Sequence, residues 1–239
     1  MKNMNTTARL TGLGYLIIFL TGFFANFYTL ESLVVSRDAT TTALNIASNQ
    51  SLYEMGVAAF TLMVLVDIIL AFPLYQLLKS VNEKLARLSS ALRLINGAVF
   101  AVALISLYRI ALLAKGGAET LETTVMPLIQ NFDAIWNLGL LFFGVHLLLL
   151  GWLIFKAINF PKIIGLFLLV AGAGYLIDSG ARLYLPSYDQ FKDIFEMIVV
   201  IPGVVGEFSL TLWLLIKGTD RKKVKASKTR SFNLQNQKA

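Results

Sequence analysis

Cysteine is absent from the 239 residues, and histidine occurs once. The first absence excludes disulfides, thiol nucleophiles and cysteine-held metals. The second excludes a histidine-cluster metal site, so neither a metal nor a cofactor is expected. Charge is scarce too: Asp, Glu, Lys and Arg make up 15% of the chain, where a soluble domain uses roughly a quarter to cover its surface. No Walker loop, nucleophile elbow, HExxH or dinucleotide fingerprint is present. What takes the place of charge is apolar: 56% of residues are hydrophobic. They come in runs of about 20 or more, not in ~10-residue alternating strands. Hydrocarbon leaves backbone polar groups unsatisfied unless they pair internally, so an all-α polytopic membrane bundle is expected.

Six runs are long enough to cross a bilayer: Leu10–Leu30, Leu52–Leu78, Leu88–Ala114, Ile135–Phe155, Ile163–Leu183 and Ile194–Ile216. Residues 1–217 read as one six-helix domain and 218–239 as a basic, disordered tail. The first run is longer than a signal-peptide core and is read as a retained helix. Between runs, Ser80–Arg87 and Lys156–Lys162 are short and basic, whereas Glu31–Ser51, Lys115–Phe132 and Tyr184–Asp193 are longer or more acidic. Lys2, Arg9, Lys79, Lys84, Arg87, Lys156, Lys162 and the tail fall on one side; Arg37, Lys115, Arg182 and Lys192 fall on the other. The positive-inside rule then puts both termini in the cytoplasm, with the chain in the cytoplasmic membrane.

The net charge of +7 does not indicate nucleic acid, because eight of the 21 Lys and Arg lie between Lys217 and Lys238. A basic tail beside a bilayer is a topology signal and a contact for anionic lipid. The lipid bilayer is the partner the composition requires. In the first distal loop, Asp38 precedes Ala43, Leu44 and Ile46 and is placed to N-cap a short surface helix.

The runs pair as three helical hairpins with a shared text. Odd-numbered runs open with Arg9-x-x-Gly12-x-x-x-Leu16, Arg87-x-x-Ser90-x-x-x-Leu94 and Lys162-x-x-Gly165-x-x-x-Leu169. A cation anchors the interface and a small residue one turn deeper admits a neighbouring helix. In the even-numbered runs, His146 and Glu207 each precede a Trp by six positions and a Lys by ten. Asp67 precedes Pro73 by six and Lys79 by twelve.

At 1.5 Å per residue, His146 and Glu207 lie ~15 Å from the basic edge and Asp67 ~18 Å, while Arg93 starts ~9 Å in and reaches further. A charge at such depth costs about 2.5–3.5 kcal/mol on insertion scales, so these groups are expected to converge inside the bundle, with Asn96 as a neutral partner. Three uses fit: buried ion pairs that fix packing, a polar cavity for a small molecule, lipid or ion in which His146 is the titratable member, or acid–base catalysis by an acid and His146. Transport-type binding leads, with a structural or regulatory subunit as the alternative and an enzyme behind both. A second polar set, Glu31, Arg109, Asp178, Arg182 and Glu196 with Asn26 and Asn137, gathers near the distal edge, and Asp178 with Arg182 has the spacing of an i,i+4 pair. Pro202, Gly203 and Gly206 suit a hinge or freed carbonyls beside Glu207. Gly172 and Gly174 suit close helix packing.

The stretches ARLTGLGYLIIF, RDATTTALNIASNQSLYEMG, VDIILAFPLYQLLKSVN, ALRLINGAV and GVHLLLLGWLIFKAINFPKIIGLFLLVAGAGYLID resemble the bacterial membrane family of domain of unknown function 4386, over Ala8 to about Lys217. The resemblance implies a six-span bacterial integral membrane protein. It transfers no activity, substrate or catalytic residue.

Overall fold

The computed structural model describes residues 2–185 and 187–218, without the side chains of Lys2, Asn3, Asp189, Asp193 and Glu196. The expected disorder and lipid contact of the basic tail therefore lie outside the described residues, as does the placement of the Glu196 carboxylate. Among the described residues eight α-helices follow in order: α1 Lys2–Phe23, α2 Glu31–Leu33, α3 Ala39–Ser48, α4 Gln50–Leu78, α5 Glu83–Ala114, α6 Ala118–Lys156, α7 Lys162–Tyr184 and α8 Tyr188–Ile216. A π-helical stretch, Phe24–Leu30, joins α1 to α2 without interruption. Six helices are long and apolar enough to cross a membrane, and no strand occurs among the described residues.

Local chemistry sets the breaks. Asn82 caps α5, its side chain accepting from Leu85 N at 3.1 Å. Gly117 turns the chain from α5 into α6 at φ 91°, a conformation that favours glycine. Asp38 caps α3 as expected, taking hydrogen bonds from Thr41 N at 2.9 Å and Thr41 Oγ1 at 2.7 Å. Those donors hold its carboxyl below the usual carboxylate range. The cap is thus complete at neutral pH and is lost only on acidification through that lowered value.

One boundary is corrected. Lys115–Phe132, read from sequence as a connection, is helical from Ala118 onward, so α6 runs 39 residues, ~58 Å against ~30 Å of hydrocarbon. Its charges and Pro127 lower the hydropathy of this stretch, but Leu121, Val125, Leu128, Ile129 and Phe132 form a helical stripe that is buried. Against it packs α3, through Ala43 and Ile46, with Thr40 Oγ1 hydrogen-bonded to Glu122. Likewise α8 begins at Tyr188, inside the segment read as a loop.

The six long helices pack as a closed circuit in chain order: α1 on α4, α4 on α5, α5 on α6, α6 on α7, α7 on α8, and α8 back on α1. The three small residues of the hairpin text make equivalent contacts around it. A Cβ on Gly12 of α1 would lie 2.9 Å from Leu215 N of α8, and one on Gly165 of α7 would lie 2.6 Å from Phe155 N of α6. Ser90 of α5 donates to Ala71 O of α4 at 2.9 Å. Each odd helix therefore seats its small residue against the even helix before it.

The α6–α7 contact is the tightest. Gly144 faces Gly172 and Gly151 faces Gly165, so two glycines seven apart on one helix meet two glycines seven apart on the antiparallel other. A Cβ at Gly172 would stand 2.8 Å from Gly144 O, and one at Gly165 2.7 Å from Gly151 O. Gly174 meets Ile198 O of α8 at a similar 2.7 Å. The packing role read for Gly172 and Gly174 is what the structure shows.

Candidate functional site

The polar centre lies one to four turns from the end of the bundle that carries Arg9, Lys79, Arg87, Lys156 and Lys162, here the basic end. Arg93 on α5 is fully buried, and its surroundings follow from the fork of five N–H donors on a guanidinium. Nη2 donates to Asp67 Oδ1 of α4 at 2.5 Å and Nε to the Asp67 carbonyl at 3.1 Å. Nη1 donates to Tyr15 OH of α1 and to His146 Nε2 of α6, each at 3.0 Å. The Tyr15 ring, 5.0 Å from Arg93 Cζ, and the Phe143 ring, 6.0 Å away, add their π-faces. Asp67 Oδ2 accepts from Asn96 Nδ2 at 3.2 Å. Four of the residues singled out from sequence are thus in one interlocked group.

The protonation of His146 follows from its partners. A guanidinium has no lone pair to offer, so Nε2 must be the acceptor and the ring is neutral. Nδ1 then carries the hydrogen and donates to Ser89 O at 2.8 Å, with Ser89 Oγ 2.9 Å away. A proton added at Nε2 would face the Arg93 cation at hydrogen-bond distance. In this arrangement His146 completes the Arg93 shell as an acceptor through Nε2.

Glu207 is different. On α8, Gly206 meets Phe167 and Leu168 of α7, while Phe208 meets Phe19 of α1 at 5.5 Å and Leu215 meets Gly12. Glu207 lies between these two contact lines and faces inward. It stands in electrostatic range of Arg93, Asp67, Tyr15 and Tyr175. It is only half-buried, and its carboxylate makes no hydrogen bond or ion pair among the described residues.

The repeat explains why. Counted six residues from Arg9, Arg87 and Lys162, the equivalent positions on the odd helices are Tyr15, Arg93 and Leu168, and all three are buried. Asp67 and His146 each flank Arg93 in the circuit. Glu207 is flanked by Leu168 and Tyr15, and Arg93, though in electrostatic range, is bonded to Asp67 instead. One acid of the layer is neutralised and the other is not.

The distal polar set does not form one cluster. Asp178 is buried, accepting from Arg182 Nε at 3.1 Å and Tyr188 OH at 2.6 Å, so the i,i+4 pair exists and a tyrosine completes it. Glu31 is exposed and pairs locally with Asn26 Nδ2 at 3.0 Å. Arg109 is exposed on α5, and neither it nor Glu31 bonds to Asp178. Asn137 and Ser179 are buried side by side, yet Asn137 Oδ1 and Ser179 Oγ have no partner. Asn96 Oδ1, in the central group, is also an unpartnered acceptor. No group of three or more metal-ligating side chains occurs among the described residues.

Tyr15, Ser89, Phe143 and Tyr175 belong to the site and were missed by sequence reasoning, which counted only charged, histidine and amide side chains by depth. The register Arg9–Tyr15 against Arg87–Arg93 is the signal that could have found Tyr15.

A family model described as domain of unknown function (DUF4386) matches residues 10–218. An uncharacterized protein of Archaeoglobus fulgidus is 29% identical over 168 residues, which cover 68% of this chain and 83% of that protein. No solved structure matches.

Proposed function

Because the chain belongs to the DUF4386 family, whose description assigns no chemistry, we propose from the polar centre alone that this multi-pass membrane protein is a binding or transport-type protein for a positively charged ligand. The observation that carries the reading is the inward Glu207 carboxylate with no bonded partner, beside an Asp67–Arg93 pair that is already neutral. An unpaired carboxylate away from water is costly, and a proton or a small cation relieves that cost. Tyr175 offers a phenol oxygen and a π-face in electrostatic range of it, a setting that suits a cation. In this reading the bundle sits in the cytoplasmic membrane with its basic end inside.

A second reading holds for part of the network. Asp67, Arg93, Asn96, His146 and Tyr15 close on one another, with four of the five Arg93 donors engaged. That closure favours a packing role for these five, as in a structural subunit, and leaves ligand binding to Glu207. Ser89 Oγ lies beside His146 Nδ1, but that nitrogen carries the hydrogen given to Ser89 O and is not poised as a base, so catalysis is not part of the proposal.

The groups facing Glu207 are Tyr15, Asp67, Arg93 and Tyr175, with His146 behind Arg93. The test is thermal stability of purified protein titrated with ammonium, methylammonium or tetramethylammonium chloride at fixed ionic strength, with pH as a separate axis. Wild type should gain stability with at least one cation or with added protons, by about 2.7 kcal/mol at a hundredfold excess over Kd. Glu207→Gln should show no such gain. If Glu207→Gln responds as wild type does, the proposal fails.

A further inference from the structure

Resting on the Glu207 reading, we infer that the positive ligand reaches this carboxylate from the distal end of the bundle, along a polar line between α7 and α8 built by Asp178 and Tyr175. The interior is apolar at both ends, the distal half being filled by Val57, Phe60, Leu104, Leu107 and Phe132 of α4, α5 and α6, and the ends differ only along α7 and α8. Toward the basic end, the centre is closed by buried aliphatic side chains from several helices, among them Leu74, Leu77, Leu150, Leu153, Leu210 and Leu214. Toward the distal end, α7 presents Tyr175, Asp178 and Arg182 at spacings of three and four, which is one helix face. That face continues inward through Ala171 and Leu168, both fully buried, so it points into the bundle and not at lipid.

Tyr175 is the link. It interacts electrostatically with Glu207 on one side and Asp178 on the other. Although its ring packs edge-on against Phe143 at 5.2 Å, the residue is only half-buried. Beside its hydroxyl stands Gly203 of α8, where a Cβ would come no nearer than 3.7 Å. Gly144, Gly151, Gly165, Gly172 and Gly174 are filled to backbone contact, whereas Gly203 faces only the Tyr175 side chain at ordinary van der Waals distance. One turn further out, but on the α6 side of α7, Asn137 Oδ1 and Ser179 Oγ are buried without partners. At the mouth, exposed Asp133 lies in electrostatic range of Arg182 and Lys192. Carboxylates at Asp133, Asp178 and Glu207 thus mark three depths of one route, with Asp178 bonded to Arg182 and Glu207 bonded to no cation among the described residues.

The cysteine-free sequence makes the route directly measurable. Single cysteines are placed at Gly203, beside Tyr175, at Gly180, where a Cβ meets nothing within 4 Å, and at Leu214 in the aliphatic closure. Each full-length variant is checked for wild-type elution, then labelled in membranes of known orientation. The reagents are a quaternary-ammonium methanethiosulfonate and its sulfonate counterpart, applied to one face at a time. Gly180→Cys and Gly203→Cys should label from the distal face only, and Leu214→Cys from neither. At Gly203→Cys the cationic reagent should react about tenfold faster than the anionic one relative to Gly180→Cys, and Glu207→Gln should abolish that preference. Labelling of Gly203→Cys from the basic face, no labelling of it from either face, or labelling of Leu214→Cys from the basic face overturns the route. Distal labelling whose charge preference survives Glu207→Gln leaves the route standing and sinks the Glu207 reading instead.

Discussion

Arg93→Gln is expected to destabilise the detergent-solubilised protein by about 3–5 kcal/mol, as is usual when one member of a buried ion pair is removed. The reason is specific to the centre. With the guanidinium gone, Asp67 keeps only Asn96 as a side-chain donor, and Tyr15 OH and His146 Nε2 lose the donor they share. A carboxylate is then left inside the bundle beside Glu207, with no cation near either. Adding Asp67→Asn to Arg93→Gln should recover a substantial part of the loss, because no uncompensated charge remains. Equilibrium unfolding of the two single variants and the double variant measures this as a coupling energy, which should exceed 0.5 kcal/mol. Strict additivity would mean that the pair does not hold the centre together.

The second large effect concerns shape. Gly151→Val should cost about 3 kcal/mol, at the upper end of overpacking losses. At this site the new Cβ alone would stand 2.8 Å from Gly165 O and from Leu169 N. Both are backbone atoms of a neighbouring helix, so relief requires α6 and α7 to separate. That movement would also loosen Gly144 from Gly172, the second pair along the same seam. Gly180→Val is the control: nothing lies within 4 Å of its Cβ, and the substitution should be nearly neutral. Thermal unfolding with elution profiles separates the two; equal losses at both positions would contradict a backbone contact at Gly151.

How much of this was legible depends on which physical signal carried each feature. Hydropathy set the spans well, because ~20 apolar residues per crossing is a demand of the bilayer. It failed over 118–132, where α6 leaves the hydrocarbon and is held as a helix by its packing with α3. Depth counting brought Asp67, Arg93, Asn96 and His146 to one level, since buried charge must find a partner. It could not assign donors and acceptors: Nε2 of His146 accepts from Arg93, and Nδ1 donates to Ser89 O. Depth likewise grouped Glu31 and Arg109 with Asp178, although they face different ways around the bundle. Tyr15 and Tyr175 escaped notice because an aromatic in an apolar run reads as wall. The glycine seam was only half visible: Gly172 was noticed, but its partner Gly144 makes sense only once α6 and α7 are known to be antiparallel neighbours.

Within this centre, Asp67 and Glu207 occupy matching places in two hairpins and do opposite things. Asp67 is satisfied by the cation next to it and stabilises the fold. Glu207 faces a tyrosine and a leucine where that cation would stand, so it is a cost to the unliganded protein. The sign of one stability change tests the distinction: the unfolding free energy of Glu207→Gln against wild type, measured near neutral pH with no cation ligand added. The account predicts that the variant is as stable as wild type or more so, since an unmatched carboxylate has been made neutral. A loss comparable to that of Arg93→Gln would show Glu207 to be one more packing contact and would contradict it.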